Sequence, residues 1–155
     1  MHETYLKQAI ALACENVDSG AGGPYGAVIV KDGVVIAASG NKVTQNLDPS
    51  AHAEIMAIRI ACRHLGSFKL QGCTLYSSCE PCPMCLGAIY WARIEHVFFA
   101  CNRFDAAKAG FDDSFIYEQI PLEPSIRSIP MLNIDMEEAE TPFKLWNKAT
   151  NKILY

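Results

Sequence analysis

His52-Ala53-Glu54 and Pro81-Cys82-Pro83-Met84-Cys85 are the two stretches on which the fold of this chain turns. They hold one imidazole, two thiols and one carboxylate. Histidine and cysteine suit zinc, and three protein ligands leave a fourth position open, as a catalytic site requires. Cys82 and Cys85 are three residues apart, so on a helix they share a face and reach one ion. Pro83 fits the first turn of a helix, where its missing N–H is not needed. The thiols therefore open one helix. Asp48-Pro49-Ser50 is a start signal for another, with Asp48 or Ser50 as the expected cap and His52 and Glu54 in its first turn. One ion can join the two stretches only if two helix N-termini converge. Their partial positive ends favour thiolate over thiol.

The rest of the chain supplies the scaffold for such a meeting. Tyr5, Leu6, Ala9, Ile10, Ala13 and Val17 draw one apolar helix face over residues 4–17, and Ser19-Gly20-Ala21-Gly22-Gly23-Pro24 stops it. Residues 26–30 and 34–38 read as strands joined by a hairpin turn at Lys31-Asp32-Gly33. The helix after Ser50 runs to about Leu65 and ends at Gly66. A third strand is expected over 73–78, a helix from Pro83 to about Ala92, and a fourth strand over 97–101, apolar throughout as in a buried parallel strand. A short helix at 113–119 and a fifth strand at 129–134 follow, the latter at a sheet edge because of Pro130. Thr141-Pro142 then caps a last helix from Phe143 to about Asn151. The order α-β-β-α-β-α-β-α-β-α predicts a three-layer α-β-α sandwich around a five-stranded mixed sheet.

A chain of 155 residues fits one domain, and its composition is ordinary for a globular protein, half apolar and about a fifth charged. The net charge of -4 gives no electrostatic footprint for nucleic acid. After Cys101 the balance is acidic, nine carboxylates against six cations. No stretch has the apolar length of a membrane helix, and MHETYLKQAI lacks the layout of a signal peptide. An odd count of seven cysteines, three of them crowded at 79, 82 and 85, points to reduced thiols and a cytoplasmic setting. Cys14, Cys62, Cys73 and Cys101 are read as packing residues. His2, His64 and His96 have no ligand partner at suitable spacing. Cys79-x-x-Cys82-x-x-Cys85 with His52 could instead close a structural Cys₃His site, which would leave Glu54 without a role.

The chemistry of the open site follows from its members. Zinc lowers the pKa of a bound water toward neutrality. Glu54, two residues from His52, need not be a fourth ligand and is expected to shuttle protons from that water to substrate and leaving group.

H-x-E followed by P-C-x-x-C is the signature of zinc-dependent nucleobase deaminases, and here the chain resembles the cytidine deaminase-like superfamily. Gly22-Gly23-Pro24-Tyr25-Gly26-Ala27-Val28, Asp48-Pro49-Ser50-Ala51-His52-Ala53-Glu54, the run from Ser78-Cys79-Glu80-Pro81 through Tyr90-Trp91-Ala92-Arg93, and Ala109-Gly110-Phe111-Asp112-Asp113-Ser114-Phe115 narrow it. Together they are similar to the small zinc-dependent guanine deaminases of bacteria, from about His2 to Tyr155. The resemblance implies that His52, Cys82 and Cys85 bind Zn²⁺ and that Glu54 is the proton shuttle. It implies that Asn41 and Asp113 hold a purine base, with Asp113 assisting proton transfer, and that Ala53 and Tyr25 adjoin it. Tyr25 stands where that family carries phenylalanine. The resemblance further implies a homodimer that exchanges residues 143–155, so that Tyr155 of one chain closes the other's site. Without it, 143–155 reads as a helix packed on its own domain.

The expected reaction is hydrolysis of guanine to xanthine and ammonia. A tRNA adenosine deaminase shares Gly26-Ala27-Val28 and both zinc stretches, but it must neutralise phosphates around a flipped base, which an acidic chain does poorly. Guanosine, cytosine or an aminopurine are other small substrates. A non-enzymatic zinc module would not need Glu54.

Overall fold

The computed structural model describes residues 1–155, which divide into two compact units, Met1–Asp113 and Ser114–Tyr155. The first unit is the sandwich. Helix α1 (His2–Asp18) is followed by strands β1 (Gly26–Lys31) and β2 (Val34–Gly40), and a single-turn helix α2 (Val43–Asn46) follows them. Then come helix α3 (Ala53–Leu65), strand β3 (Cys73–Cys79), helix α4 (Pro83–Trp91), strand β4 (His96–Cys101) and helix α5 (Arg103–Lys108). The sheet runs β2-β1-β3-β4, with β1 antiparallel to both neighbours and β4 parallel to β3.

Strand alternation builds the layers. On β1, Ala27 and Ile29 face a core made with Ala53, Ala57 and Ala61 of α3 and with Ile89 beside α4's end. Val28 and Val30 face the opposite side, against Ala9, Tyr5, Leu6 and Leu12 of α1. Ile29 and Leu75 are fully buried, each contributing about 1.5–3 kcal/mol of apolar burial. The Asp32-Gly33 turn has positive φ at both residues, 50° and 78°, the geometry that twisted hairpins prefer. Gly26 lets α1 lie directly on β1: a Cβ there would collide with the Ala9 carbonyl and come within 2.9 Å of Ala13 N.

The structure corrects several expectations. The sheet has four strands, not five. Residues 129–134 join no strand, although Met131 N donates to Pro124 O (2.9 Å); Pro130 lacks a ladder donor, and Ile129, Leu132 and Ile134 are all exposed. Strand β4 is an edge strand with an exposed outer row, Phe99 included, rather than a buried one. Helix α5 was not expected; it is set by Asn102, whose side chain accepts from Phe104 N and Asp105 N while Asp105 reciprocates to Asn102 N. Neither Asp48 nor Ser50 caps α3. Asp48 Oδ1 accepts instead from Ser50 N and Ser50 Oγ, forming a turn ahead of the helix, and His52 is the N-cap. Likewise Glu140, not Thr141, precedes α7 (Thr141–Lys148). Cys14 and Cys101 are exposed, while Cys73 is in the core.

The second unit holds α6 (Ser114–Gln119), a 3-10 turn at Pro124–Ile126, and α7. None of these elements contains a buried residue. No helix of the chain is long and apolar enough to cross a membrane.

Candidate active site and metal centre

Both chemical stretches sit at helix starts, at the end of the sheet where β3 finishes. His52 is the N-cap of α3 and Cys82 the N-cap of α4, each in extended conformation and each making no side-chain cap bond. Their carbonyls accept from Met56 N (2.9 Å) and Leu86 N (2.8 Å), so the first turns are closed while both side chains are turned to each other. Cys85 is three residues into α4 and fully buried. The ligand atoms of His52, Cys82 and Cys85 all lie within 4.8 Å of one another.

Their spacing fits a metal. His52 Nδ1 is 3.6 Å from Cys82 Sγ and 3.5 Å from Cys85 Sγ. A tetrahedral zinc with ordinary Zn–S and Zn–N lengths places nitrogen and sulfur about 3.6 Å apart. Nδ1 is thus the nitrogen placed to ligate an ion. The electrostatics point the same way. A hydrogen bond from the Cys85 thiol, helped by His52, pulls the Cys82 thiol down to about 4. The same bond, with burial, pushes Cys85 up. Contact with Cys82 in turn raises His52. A divalent ion held by both sulfurs would keep both as thiolates.

Glu54 is beside the trio and outside it. It is 5 % exposed; Ser77 Oγ donates to Oε1 (3.2 Å) and Cys85 Sγ to Oε2 (3.6 Å). Burial, reinforced by the Cys82 charge, raises its carboxyl above the usual range. A carboxyl so placed can take and return a proton. Cys79 stays out of the cluster: its thiol donates to Asn102 O (3.5 Å), and burial pushes it up to about 11. The Cys₃His arrangement is therefore not what the chain presents.

Asn41 and Tyr25 lie together on neighbouring loops, where Asn41 N donates to Tyr25 O (3.0 Å). Asn41 is 7 % exposed, and its Oδ1 accepts from Val43 N (3.1 Å), leaving the Nδ2 donor for a ligand. Tyr25 is half-buried and set edge-on against Phe111, with centroids 5.2 Å apart. Burial raises its hydroxyl, and the charges adding to that shift are Cys79, Glu54, Asp113 and Cys82. Burial also raises Asp113, with Cys82 the next cause. Both side chains thus lie within electrostatic reach of Cys82. Ala53, expected beside the base, is fully buried in the main core. Tyr155 belongs to the Ser114–Tyr155 unit and is 73 % exposed.

Two residues of this region carry no assignment from the sequence, Ser77 and Asn16, and Phe111 appears there only within the quoted Ala109–Phe115 segment. Ser77 had no signal of its own. Asn16 had one, a polar residue on the stripe that runs through Ala9 and Ala13 of α1.

The profile of the cytidine and deoxycytidylate deaminase zinc-binding region matches residues 1–101. Guanine deaminase of Bacillus subtilis (strain 168) is 56% identical over 154 residues, 99% of each chain. An X-ray structure of guanine deaminase from Bacillus subtilis superposes with a TM-score of 0.99 at 56% identity, covering 100% of this chain and 99% of that one. A guanine deaminase structure from Nitrosomonas europaea gives a TM-score of 0.67 at 31% identity, over 72% of this chain and 64% of that one. The tRNA-specific adenosine deaminase of Aquifex aeolicus is 45% identical over 98 residues, 63% of this chain and 64% of its own.

Proposed function

The chain belongs to the cytidine and deoxycytidylate deaminase zinc-binding family, and we propose that it hydrolyses guanine to xanthine and ammonia. The observation that carries this reading is the full-length identity to a guanine deaminase, 56% over 99% of both chains. The tRNA-specific relative matches over 63% of this chain, and the net charge of -4 disfavours a polyanion.

His52, Cys82 and Cys85 would hold the zinc. Bound there, the ion supplies the Lewis acidity that makes water a nucleophile near neutral pH. Glu54 takes one proton of the attacking water and passes it to a ring nitrogen beside C2 of guanine; it then takes the second from the new C2 hydroxyl and delivers it to the amine, which leaves as ammonia. Ser77 holds one oxygen of that carboxyl in place. Asp113 accepts from the N1 and N2 edge of guanine, for which a carboxylate is the fitting partner, and is the second group able to carry protons. Asn41 donates its Nδ2 to an acceptor of the base. Tyr25 adjoins it.

The same reading treats residues 1–155 as one deaminase domain that works as a homodimer, with 143–155 exchanged so that Tyr155 covers the partner's base. Its support is the apolar, exposed character of that segment: Phe143, Leu145, Ile153, Leu154 and Tyr155 are each 64–73 % exposed. Zinc binding needs reduced thiolates, which supports a cytoplasmic enzyme of purine metabolism.

Incubation of zinc-loaded protein with guanine should yield xanthine and ammonia in equal amounts, and a chelator should abolish both. Xanthine formation that survives complete zinc removal would overturn the assignment. Deleting the last few residues through Tyr155 should cut turnover far more than zinc content; an unaffected truncation would remove Tyr155 from the site.

A further inference from the structure

Asn16 sits in the buried stripe of α1 at 4 % exposure. Both N–H groups of its side-chain amide are used. Nδ2 donates to Gly23 O (2.9 Å) and to Asn41 O (2.9 Å). Tyr25 N also donates to Gly23 O (2.8 Å), and Asn41 N donates to Tyr25 O (3.0 Å). These bonds form a closed circuit: Asn16, Gly23, Tyr25, Asn41 and back to Asn16. The backbone carbonyl of Asn16 fixes the same loop, accepting from Ala21 N (2.9 Å) and Gly22 N (3.2 Å).

Space around the amide is cleared on two sides. A Cβ on Gly22 would lie 2.9 Å from Asn16 Nδ2 and 2.8 Å from Asn41 O. A Cβ on Gly40 would lie 2.8 Å from Asn16 Oδ1. Two glycines therefore accommodate one buried amide. An apolar side chain would fill the stripe but leave the Asn41 carbonyl without this partner, at a cost of about 1–3 kcal/mol. What the amide uniquely does is hold two carbonyls, on two loops, at one spacing. Those loops carry Tyr25 and Asn41, which converge: the point where a Gly23 Cβ would stand is 3.5 Å from the Tyr25 ring and 3.8 Å from Asn41 Cγ.

We propose that Asn16 is a positioning residue for base recognition, holding the Asn41 amide and the Tyr25 ring in register and acting on the substrate only through them. This rests on the guanine deaminase reading above.

The test is a double-mutant cycle on the full-length, zinc-loaded protein, using Asn16→Ala and Asn41→Ala with guanine as substrate. Asn16→Ala should raise KM about tenfold, the equivalent of one well-aligned hydrogen bond to the base, with kcat within about threefold. In the Asn41→Ala background the same change should move KM clearly less than about tenfold, because the amide is gone and only the Tyr25 ring is left to position. Asn16→Asp, which keeps the shape but turns an acceptor toward two carbonyls, should show the same pattern and serves if the alanine variant does not fold. Losses that multiply in the double variant would overturn the proposal, as would an unchanged KM accompanied by a parallel fall in kcat and melting temperature. Wild-type protein that deaminates a different base sinks the guanine reading alone; the cycle is then read on that base.

Discussion

Replacing Glu54 by glutamine separates chemistry from structure at this site. The carboxyl is 5 % exposed, with Oε1 accepting from Ser77 Oγ at 3.2 Å. Glutamine keeps the volume and that acceptor. Its amide nitrogen would face Cys85 Sγ, 3.6 Å from the present Oε2, and a sulfur held as thiolate by a metal accepts a hydrogen bond. Burial already disfavours the ionised carboxyl, so a neutral side chain is no worse accommodated. Fold and zinc content should survive. Proton transfer should not, because an amide neither takes nor gives a proton at neutral pH. General acid–base catalysis contributes about 10²–10⁴-fold per group, or about 3–5 kcal/mol at about 1.36 kcal/mol per decade. Glu54 is assigned more than one transfer, so the expected loss in kcat lies near the upper end, about 10⁴-fold. Xanthine formation at saturating guanine, with zinc measured on the same sample, gives the answer. Turnover within tenfold of wild type at full zinc occupancy would refute the role of Glu54.

Other substitutions probe the frame. Cys85→Ala should lose the metal, since Cys85 Sγ is one of three converging ligand atoms, whereas Cys79→Ala should keep it; metal analysis of both variants decides. Gly26→Ala should destabilise the first unit by about 1–3 kcal/mol through overpacking against α1, read as a lower denaturation midpoint, and an unchanged midpoint would contradict the close α1–β1 contact. Asp48→Asn should lower the melting temperature slightly at pH 7. Hydrogen bonds from Ser50 hold the Asp48 carboxyl below its ordinary value, so its contribution is present above that value and vanishes as pH falls through the lowered one. The gap from wild type should accordingly close under acid; a gap that persists there would show that Asp48 acts sterically.

The parts of this protein that were legible in sequence are those set by local rules. His52, Cys82 and Pro83 mark two helix starts, and both are found there. The Asp32-Gly33 turn and the alternation of β1 are equally local. The misses arise where a pattern needed a partner. Residues 129–134 have strand-like composition, but strand status is conferred by a neighbour, and Pro130 leaves a gap in any ladder. An apolar run at 97–101 looks buried, yet in one chain β4 is the last strand of the sheet. Asp48 and Ser50 satisfy the rule for a helix cap and equally the rule for a tight turn; their bond to each other decides it. At the site, ligand types and spacing were readable from sequence, while the Ser77 contact to Glu54 and the Asn16 circuit join residues 23 and 25 positions apart and emerge only on folding.

The measurement that bears most directly on the account is ammonia release from zinc-loaded protein offered guanine, guanosine, adenine, cytosine and a tRNA anticodon stem-loop in parallel. Release from guanine alone is the predicted result. Release from the stem-loop, or from guanosine or another base with guanine untouched, would contradict it while leaving the His52–Cys82–Cys85 centre in place.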